Sequence, residues 1–150
     1  MELEKIVKKA GVKVYDDLTY DELRGIIYKK IEDITRIAVI LAEYTRDNFV
    51  DKNLVEIAIS QYNLPCKSKI KDLSISQDEF KNKALEKLDD HSERLKFKGD
   101  SVITLQKAVE CYVIDLLKLA SKDAKKRTDT DEIEPKDLNT ARRVFDGCNF

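Results

Sequence analysis

The spacing of apolar residues predicts a long helix in the first third of the chain. Between residues 19 and 46, apolar side chains recur at steps of three and four, which places them on one helix face. That face comprises Leu23, Ile27, Ile31, Ile34, Ala38, Leu41 and Thr45. Further apolar residues lie off it, which is typical of a helix buried on several sides. Thr19 and Glu22 match a capping box at its start.

A second long helix is predicted from about Asp100 and Ser101 to about Lys126. Its apolar face comprises Val102, Leu105, Val109, Tyr112, Leu116 and Leu119. Shorter helices are predicted on both sides of each long one. The signals for their ends are Gly11 after the first, Asp51 before the second, a capping box at Ser76 and Glu79 before the third, and Pro135 in the first turn of the fourth.

The pattern of a short, a long and a short helix therefore occurs twice, in an all-α chain. We place the first unit at residues 1–60, a linker at 61–76 and the second unit at 77–150. A helix of roughly 28 residues, about 42 Å long, cannot bury its faces against two short neighbours. We expect the two units to pack against each other, with their long helices crossing around one core.

The two units resemble two different core histones. The first is similar to core histone four at Val12, Lys13, residues 18–25, Glu32, residues 36–39, Glu43, Val50 and Ala58. The second is similar to core histone three at residues 95–97, Ser101, residues 105–108, residues 110–112 and the run from Glu134-Pro135-Lys136-Asp137-Leu138 to Val144. The similarity covers roughly 3–60 and 77–146, in an order that resembles the histone doublets of giant DNA viruses.

This resemblance implies two histone folds in one chain that form an intramolecular handshake, a pseudo-dimer. It further implies a protein without enzymatic activity, cofactor or small-molecule ligand that packages double-stranded, viral DNA in nucleosome-like particles. Its contacts would be mostly to phosphates. The alternative is a histone-fold interaction module of a transcription or chromatin complex, with weak or no DNA binding.

The resemblance also implies which residues face DNA. They are Lys8, Lys9, Lys13, Arg46, Lys96, Lys98, Lys125, Lys126 and Arg127. Two positions depart from the family, because Val14 and Lys96 stand where its members carry arginines that enter the minor groove. The loop after the second long helix, residues 128–132, is also more acidic than the family pattern. We therefore expect weak DNA binding with a small salt dependence.

Two surfaces are implied for assembly. Asp137, Leu138, Ala141 and Arg143 would pair with a second copy of the chain in a four-helix bundle. Leu41, Tyr44 and Ile57, at the end of the first unit, would dock another histone pair.

Charge alone argues against a nucleic-acid binder, since such domains are usually strongly basic. The chain has 28 basic and 29 acidic side chains among 150 residues, and a formal net charge of -1. The resemblance changes this interpretation, because histones owe part of their basicity to tails, which we do not expect in this chain. What remains is a near-neutral chain with cations at particular positions.

Other classes of protein have little support. The longest apolar run, residues 37–42, is far shorter than the about 20 residues of a membrane span. The first five residues lack the pattern of a secretory signal. His91 and the three cysteines show no zinc-ligand spacing. Wide spacing of Cys66, Cys111 and Cys148 argues against a disulfide framework and favours a reducing compartment. The resemblance implies the location: virion and host nucleus or viral factory if the protein is viral, otherwise an intracellular, chromosome-associated one.

Overall fold

Helices account for most of the residues that the computed structural model describes, which are 1–64 and 70–147. The predicted all-α character is confirmed. The helices in these ranges are α1 (Glu4–Ala10), α2 (Asp17–Tyr44), α3 (Lys52–Tyr62), α4 (Gln77–His91), α5 (Ser101–Thr128) and α6 (Pro135–Phe145). Four two-residue strands lie between them: β1 (Lys13–Val14), β2 (Phe49–Val50), β3 (Lys96–Phe97) and β4 (Glu132–Ile133).

Most predicted helix ends are confirmed. Gly11 follows α1 with a left-handed φ of 73°, a conformation that glycine adopts without steric cost. The Asp51 carboxylate accepts the N–H of Leu54 at the start of α3. The Ser76 hydroxyl caps α4, and Pro135 occupies the first turn of α6.

The predicted start of the first long helix is wrong. Asp16, and not Thr19, caps α2: its Oδ1 accepts the Thr19 N–H at 3.1 Å and the Thr19 hydroxyl at 3.0 Å. Asp16 has the extended backbone that an N-cap requires, whereas Thr19 is already helical and buried. The Thr19 hydroxyl also lies 3.2 Å from the carbonyl oxygen of Ile133, across the chain.

The four strands pair crosswise between the two halves of the chain. β1, which precedes α2, pairs in parallel with β4, which follows α5. β2, which follows α2, pairs in parallel with β3, which precedes α5. Because α2 spans 28 residues, or about 42 Å, the two pairs lie near its opposite ends. We call them the β1–β4 end (residues 13–16 and 125–134) and the β2–β3 end (residues 46–51 and 94–100).

The helices also exchange partners between the halves. α1 packs on α5 and α4 packs on α2, while α3 contacts both long helices and so does α6. Buried apolar side chains from all six helices form one continuous core, as expected from the length of the long helices. In the predicted stripe of α2, the side chains from Leu23 to Ala38 are buried, whereas Leu41 is half-buried and Thr45 exposed where the helix ends.

A buried carboxylate holds the segment that leads into α4. Glu110 of α5 is fully buried and accepts the backbone N–H groups of Ser74 at 2.6 Å and Ile75 at 3.3 Å. The Gln106 amide donates to Glu110 and to the carbonyl oxygen of Ile75, both at 2.8 Å. Residues 74–76 are therefore fixed against α5, although they fall within the predicted linker.

Cys111, buried on α5, is disulfide-bonded, which its spacing from the other cysteines did not predict. Those two, Cys66 and Cys148, lie outside the described residues. The predicted boundaries at 60, 61–76 and 77 stay predictions, with α3 extending two residues beyond the first of them.

Candidate nucleic-acid interface

At the β1–β4 end, the backbone is tied together but the charges are mixed. Lys13 is exposed, and its partner in the neighbouring strand is Glu132. Paired residues of adjacent strands carry their side chains on the same face, so an acid stands beside this predicted DNA contact. The N–H of Tyr15 continues the pairing by donating to Ile133 at 2.9 Å. Val14, where the family has an arginine, supplies no cation to this end.

The last turn of α5 adds three predicted contacts to the same end, and one of them is occupied. Arg127 donates from Nε to Oδ1 of Asp137 at 3.0 Å and from Nη2 to Oδ2 at 2.9 Å. Its Nη2 also contacts the Glu134 carboxylate. Lys125 and Lys126 are exposed. The guanidinium of Arg127 is therefore neutralised within the chain, whereas Lys125 and Lys126 form no ion pair with any residue of 1–64 and 70–147.

The Asp137 carboxyl is held in its charged form. Burial by itself raises the pKa of this carboxyl, but hydrogen bonds from Arg127 and from the backbone N–H of Glu134 outweigh burial and hold the pKa below its ordinary value. Asp137 thus makes contacts inside the chain, and its role in binding another copy stays a prediction.

At the β2–β3 end, two of the predicted cations lie beside an exposed aromatic ring. Lys96 is the cross-strand partner of Phe49, whose surface is 46% exposed. The Lys98 ammonium lies 5.4 Å from the centre of the Phe49 ring, and the Lys98 N–H donates to Val50 at 3.0 Å. Arg46, two residues after the end of α2, has a left-handed φ of 58° and an exposed side chain. The structure thus brings Arg46, Lys96 and Lys98 onto two adjacent segments.

An arginine that the sequence did not single out organises this end. Arg94 donates from Nη1 to the Asp47 carbonyl at 2.9 Å and to the Asn48 side chain at 3.1 Å, and from Nη2 to Glu43 at 3.1 Å. These bonds fix the segment before β3 against the loop after α2. No sequence pattern marks Arg94, because its partners lie some 50 residues away and become neighbours only through the pairing of β2 with β3.

The remaining predicted contacts lie on α1. Lys8 and Lys9 are both exposed in its last turn. Lys9 donates from Nζ to the carbonyl oxygen of Asp72, which ties α1 to the segment before α4. Lys8 is the one of the two that has no side-chain bond to other described residues.

The predicted assembly surface on α6 is largely inside the protein. Leu138 and Ala141 have no exposed surface and belong to the core, so they cannot contact a second copy of the folded chain. Their spacing of three residues places both on the face that packs against α5. Arg143 is exposed and lies beside Val144, an apolar residue that is 63% exposed and was not predicted.

The second predicted assembly surface is on the outside, with one residue added. Tyr44 is 87% exposed and Ile57 is exposed, whereas Leu41 is half-buried against the core. Ile40, also exposed, lies one helical turn before Tyr44 on α2. These apolar side chains occupy the end of α2 and the neighbouring α3.

A buried polar cluster joins the two halves away from both ends. Lys30 of α2 is almost fully buried and donates from Nζ to Tyr62 and to Asp146, both at 2.8 Å. Tyr62 donates to Asp33 at 3.0 Å, and Tyr112 donates to Asp146 at 3.2 Å. Burial, followed by the adjacent carboxylates, raises the pKa of both phenols, which stay protonated. The sequence alone does not reveal this cluster, because its members lie on three helices and the segment after α6, although Lys30 beside the buried Ile31 is a signal.

Residues 1–64 and 70–147 hold neither a metal site nor a membrane span. No group of three or more His, Cys, Asp or Glu side chains there could hold a metal ion. None of the helices is both long and apolar enough to cross a bilayer. Comparison of the sequence with known protein families and with curated proteins found no match.

Proposed function

We propose that the chain is a DNA-packaging histone doublet: two histone folds, similar to core histone four and core histone three, joined as an intramolecular handshake. Its partner is double-stranded DNA, held through phosphates, together with further copies of the chain or another histone pair. The protein acts by binding and needs no catalytic group, cofactor or small molecule. Virion, host nucleus or viral factory are its proposed locations, or the chromosome if it is cellular.

The crosswise pairing of the strands carries the proposal. When two units, each of a short, a long and a short helix, pack head to tail, the loop before one long helix lies beside the loop after the other. β1 with β4 and β2 with β3 are such pairs, and they use both loops of each half. The packing of α1 on α5 and of α4 on α2 is the same exchange made by the short helices. Fusion in one chain makes this association intramolecular.

Support for DNA as the partner comes from the distribution of cations, not from their number. All nine predicted DNA contacts are exposed, and they lie on α1 and at the two strand pairs. Phosphate contacts need positive charge along a line of the surface and no base-reading groups. With a formal net charge of -1, the whole molecule gives little long-range attraction to add to these contacts.

The test is binding of the purified full chain to a duplex of random sequence in a gel-shift assay at about 50 to about 200 mM salt. The proposal predicts binding at the low end and progressive release as salt rises. No binding at the lowest salt would overturn it. If binding is seen, nuclease digestion of reconstituted complexes should leave protected DNA of discrete lengths.

A histone-fold interaction module is the second candidate function. It is favoured by Tyr44 and Ile40, large apolar side chains that stand exposed on α2, and by the pairing of Arg127 inside the chain. Exposed apolar side chains grouped on one helix mark protein-binding surfaces. Under this alternative the chain leaves duplex DNA unshifted at every salt concentration but associates with another histone-fold protein.

A further inference from the structure

We infer that the chain holds duplex DNA at one of its two ends only, the β2–β3 end, and that the β1–β4 end is closed to DNA by its own acids. This inference rests on the proposed function and adds to it the place and the polarity of the contact. It concerns the side chains around the two strand pairs, which are alike in backbone and opposite in charge.

The first observation is the difference between the cross-strand neighbours. At the β1–β4 end Lys13 is paired in register with Glu132, and at the β2–β3 end Lys96 is paired in register with Phe49. A phosphate that approaches Lys13 also approaches the carboxylate of Glu132, and two negative charges at so short a distance repel each other. A phosphate that approaches Lys96 meets an uncharged ring.

The second observation concerns which cations are already neutralised. The guanidinium of Arg127, the only arginine at the β1–β4 end, is paired with the carboxylates of Asp137 and Glu134. In the described part of the chain, Arg46, Lys96 and Lys98 form no ion pair within 4 Å. Affinity for DNA follows the cations that are free to replace condensed counterions, so Arg46, Lys96 and Lys98 count and Arg127 does not.

The third observation is that the acids show the reverse distribution. At the β2–β3 end Asp47 accepts the Thr45 hydroxyl at 2.7 Å, and Asp51 caps α3. Glu43, next to this end, is paired with Arg94. Glu43 is thereby neutralised, and the carboxylates of Asp47 and Asp51 keep their charge but are fixed by bonds within the protein. Asp100, the third acid of this end, makes no side-chain bond at the start of α5, so one unbonded carboxylate stands among the three free cations.

Of the five acids of the β1–β4 end, Asp16 caps α2 and Glu134 contacts Arg127, whereas the other three have no such bonds. Within residues 1–64 and 70–147, the side chains of Asp129, Asp131 and Glu132 accept no hydrogen bond and form no ion pair. Asp129 and Glu132 are exposed; Asp129 directly follows α5, and Glu132 is the cross-strand partner of Lys13. This end therefore carries three unpaired carboxylates and three free lysines, which leaves no net positive charge for a phosphate.

Two matched double variants of the full chain test the inference. Lys96→Glu with Lys98→Glu changes the β2–β3 end, and Lys13→Glu with Lys125→Glu changes the β1–β4 end by the same charge. Affinity for a duplex is measured by fluorescence anisotropy over a salt series. The first variant should lose about tenfold or more and show a salt slope smaller by about two. The second should lose less than about threefold, because charges beyond about 10 Å are screened.

A gain of binding is expected from the converse change. Asp129→Asn with Glu132→Gln should open the β1–β4 end and raise the affinity, whereas Glu86→Gln with Asp89→Asn, on α4 and equal in charge, should leave it nearly unchanged. Equal losses in the two lysine variants would overturn the inference while leaving the proposed function standing. Failure of the unaltered chain to bind would instead overturn the proposed function itself.

Titration of the unaltered chain with the duplex in NMR spectra covers the case in which a variant does not fold. Amide shifts should change at residues 46–51 and 94–99 and stay constant at residues 13–16 and 129–134. Changes at both ends, or only at the second, would contradict contact at one end.

Discussion

The Arg127 guanidinium and the Asp137 carboxylate form a two-pronged ion pair, with Nε 3.0 Å from Oδ1 and Nη2 2.9 Å from Oδ2. Such a pair fixes both groups in direction as well as in distance. Asp137 also accepts the N–H of Glu134, so one carboxylate joins the end of α5 to the first turn of α6. A residue that by resemblance belonged to an assembly surface therefore holds the loop between two helices.

Asp137→Ala should lower the stability of the chain. Loss of the hydrogen bond from the Glu134 N–H at the start of α6 costs about 1 kcal/mol, and loss of the ion pair with Arg127 adds to it. Urea unfolding at pH 7 should show a lower midpoint, while Asp89→Ala, an exposed acid on α4, should leave it nearly unchanged. An unchanged midpoint for Asp137→Ala would contradict the role assigned to this carboxylate.

The same variant gives a pH dependence with a definite sign. The pKa of Asp137 lies below its ordinary value of 3.8 in the folded chain, so its charge stabilises the fold above that pH. This contribution is lost as pH falls through the lowered pKa. The difference in unfolding free energy between the unaltered chain and Asp137→Ala should stay constant from pH 5 to pH 8 and shrink below about pH 4.

Lys30→Met should destabilise the chain more strongly. It leaves Asp146 without its cation, and removal of one partner of a buried pair costs about 3 kcal/mol. Lys30→Met with Asp146→Asn should recover part of this loss, because no charge is then left unpaired. The losses in unfolding free energy are measured by urea unfolding. A loss in the double variant that exceeds the sum of the losses in the two single variants would contradict this pairing.

Glu110→Gln should loosen the segment that leads into α4. The glutamine amide has one acceptor oxygen where the carboxylate has two, so one of the N–H groups of Ser74 and Ile75 loses its partner. The cost is about 2 kcal/mol for an unsatisfied buried group. Hydrogen exchange at those two amides should accelerate more than elsewhere, whereas in Glu86→Gln, exposed on α4, they should exchange at the unaltered rate.

The helical layout could be predicted from the sequence because it depends on local signals. Gly11, Asp51 and Pro135 act on the turn in which they stand, and the stripes of α2 and α5 are visible as spacing. The start of α2 was misplaced because two residues three apart, Asp16 and Thr19, both suit an N-cap. The backbone conformation, which the sequence does not display, decides between them.

The candidate site could be predicted only in part. Exposure of the nine cations agrees with the resemblance, but their state of charge pairing depends on partners in other segments. The sequence gives no reason to treat Arg127 and Lys96 differently as cations available to DNA. Only the fold brings Asp137 to the first and Phe49 to the second. The burial of Leu138 was missed for the same reason, since a helix shows which residues share a face but not what covers it.

The exposed side chains of Ile40 and Tyr44 form an apolar surface at the end of α2. They are one turn apart on α2 and stand next to α3, so together they offer an apolar surface with no cover from the described residues. We expect the chain to associate through it, because burying two large apolar side chains contributes about 3 kcal/mol or more. Sedimentation equilibrium over about a hundredfold concentration range should show the mass of the unaltered chain rising.

Ile40→Glu with Tyr44→Glu should keep the chain monomeric at every concentration without lowering its melting temperature, since neither side chain belongs to the core. Val144→Glu is the control that tests the surface on α6 instead, where Val144 is exposed beside Arg143. It should leave self-association intact. Loss of association in Val144→Glu alone would assign the contact to α6, and a monomeric unaltered chain would mean that α2 needs a different partner to cover it.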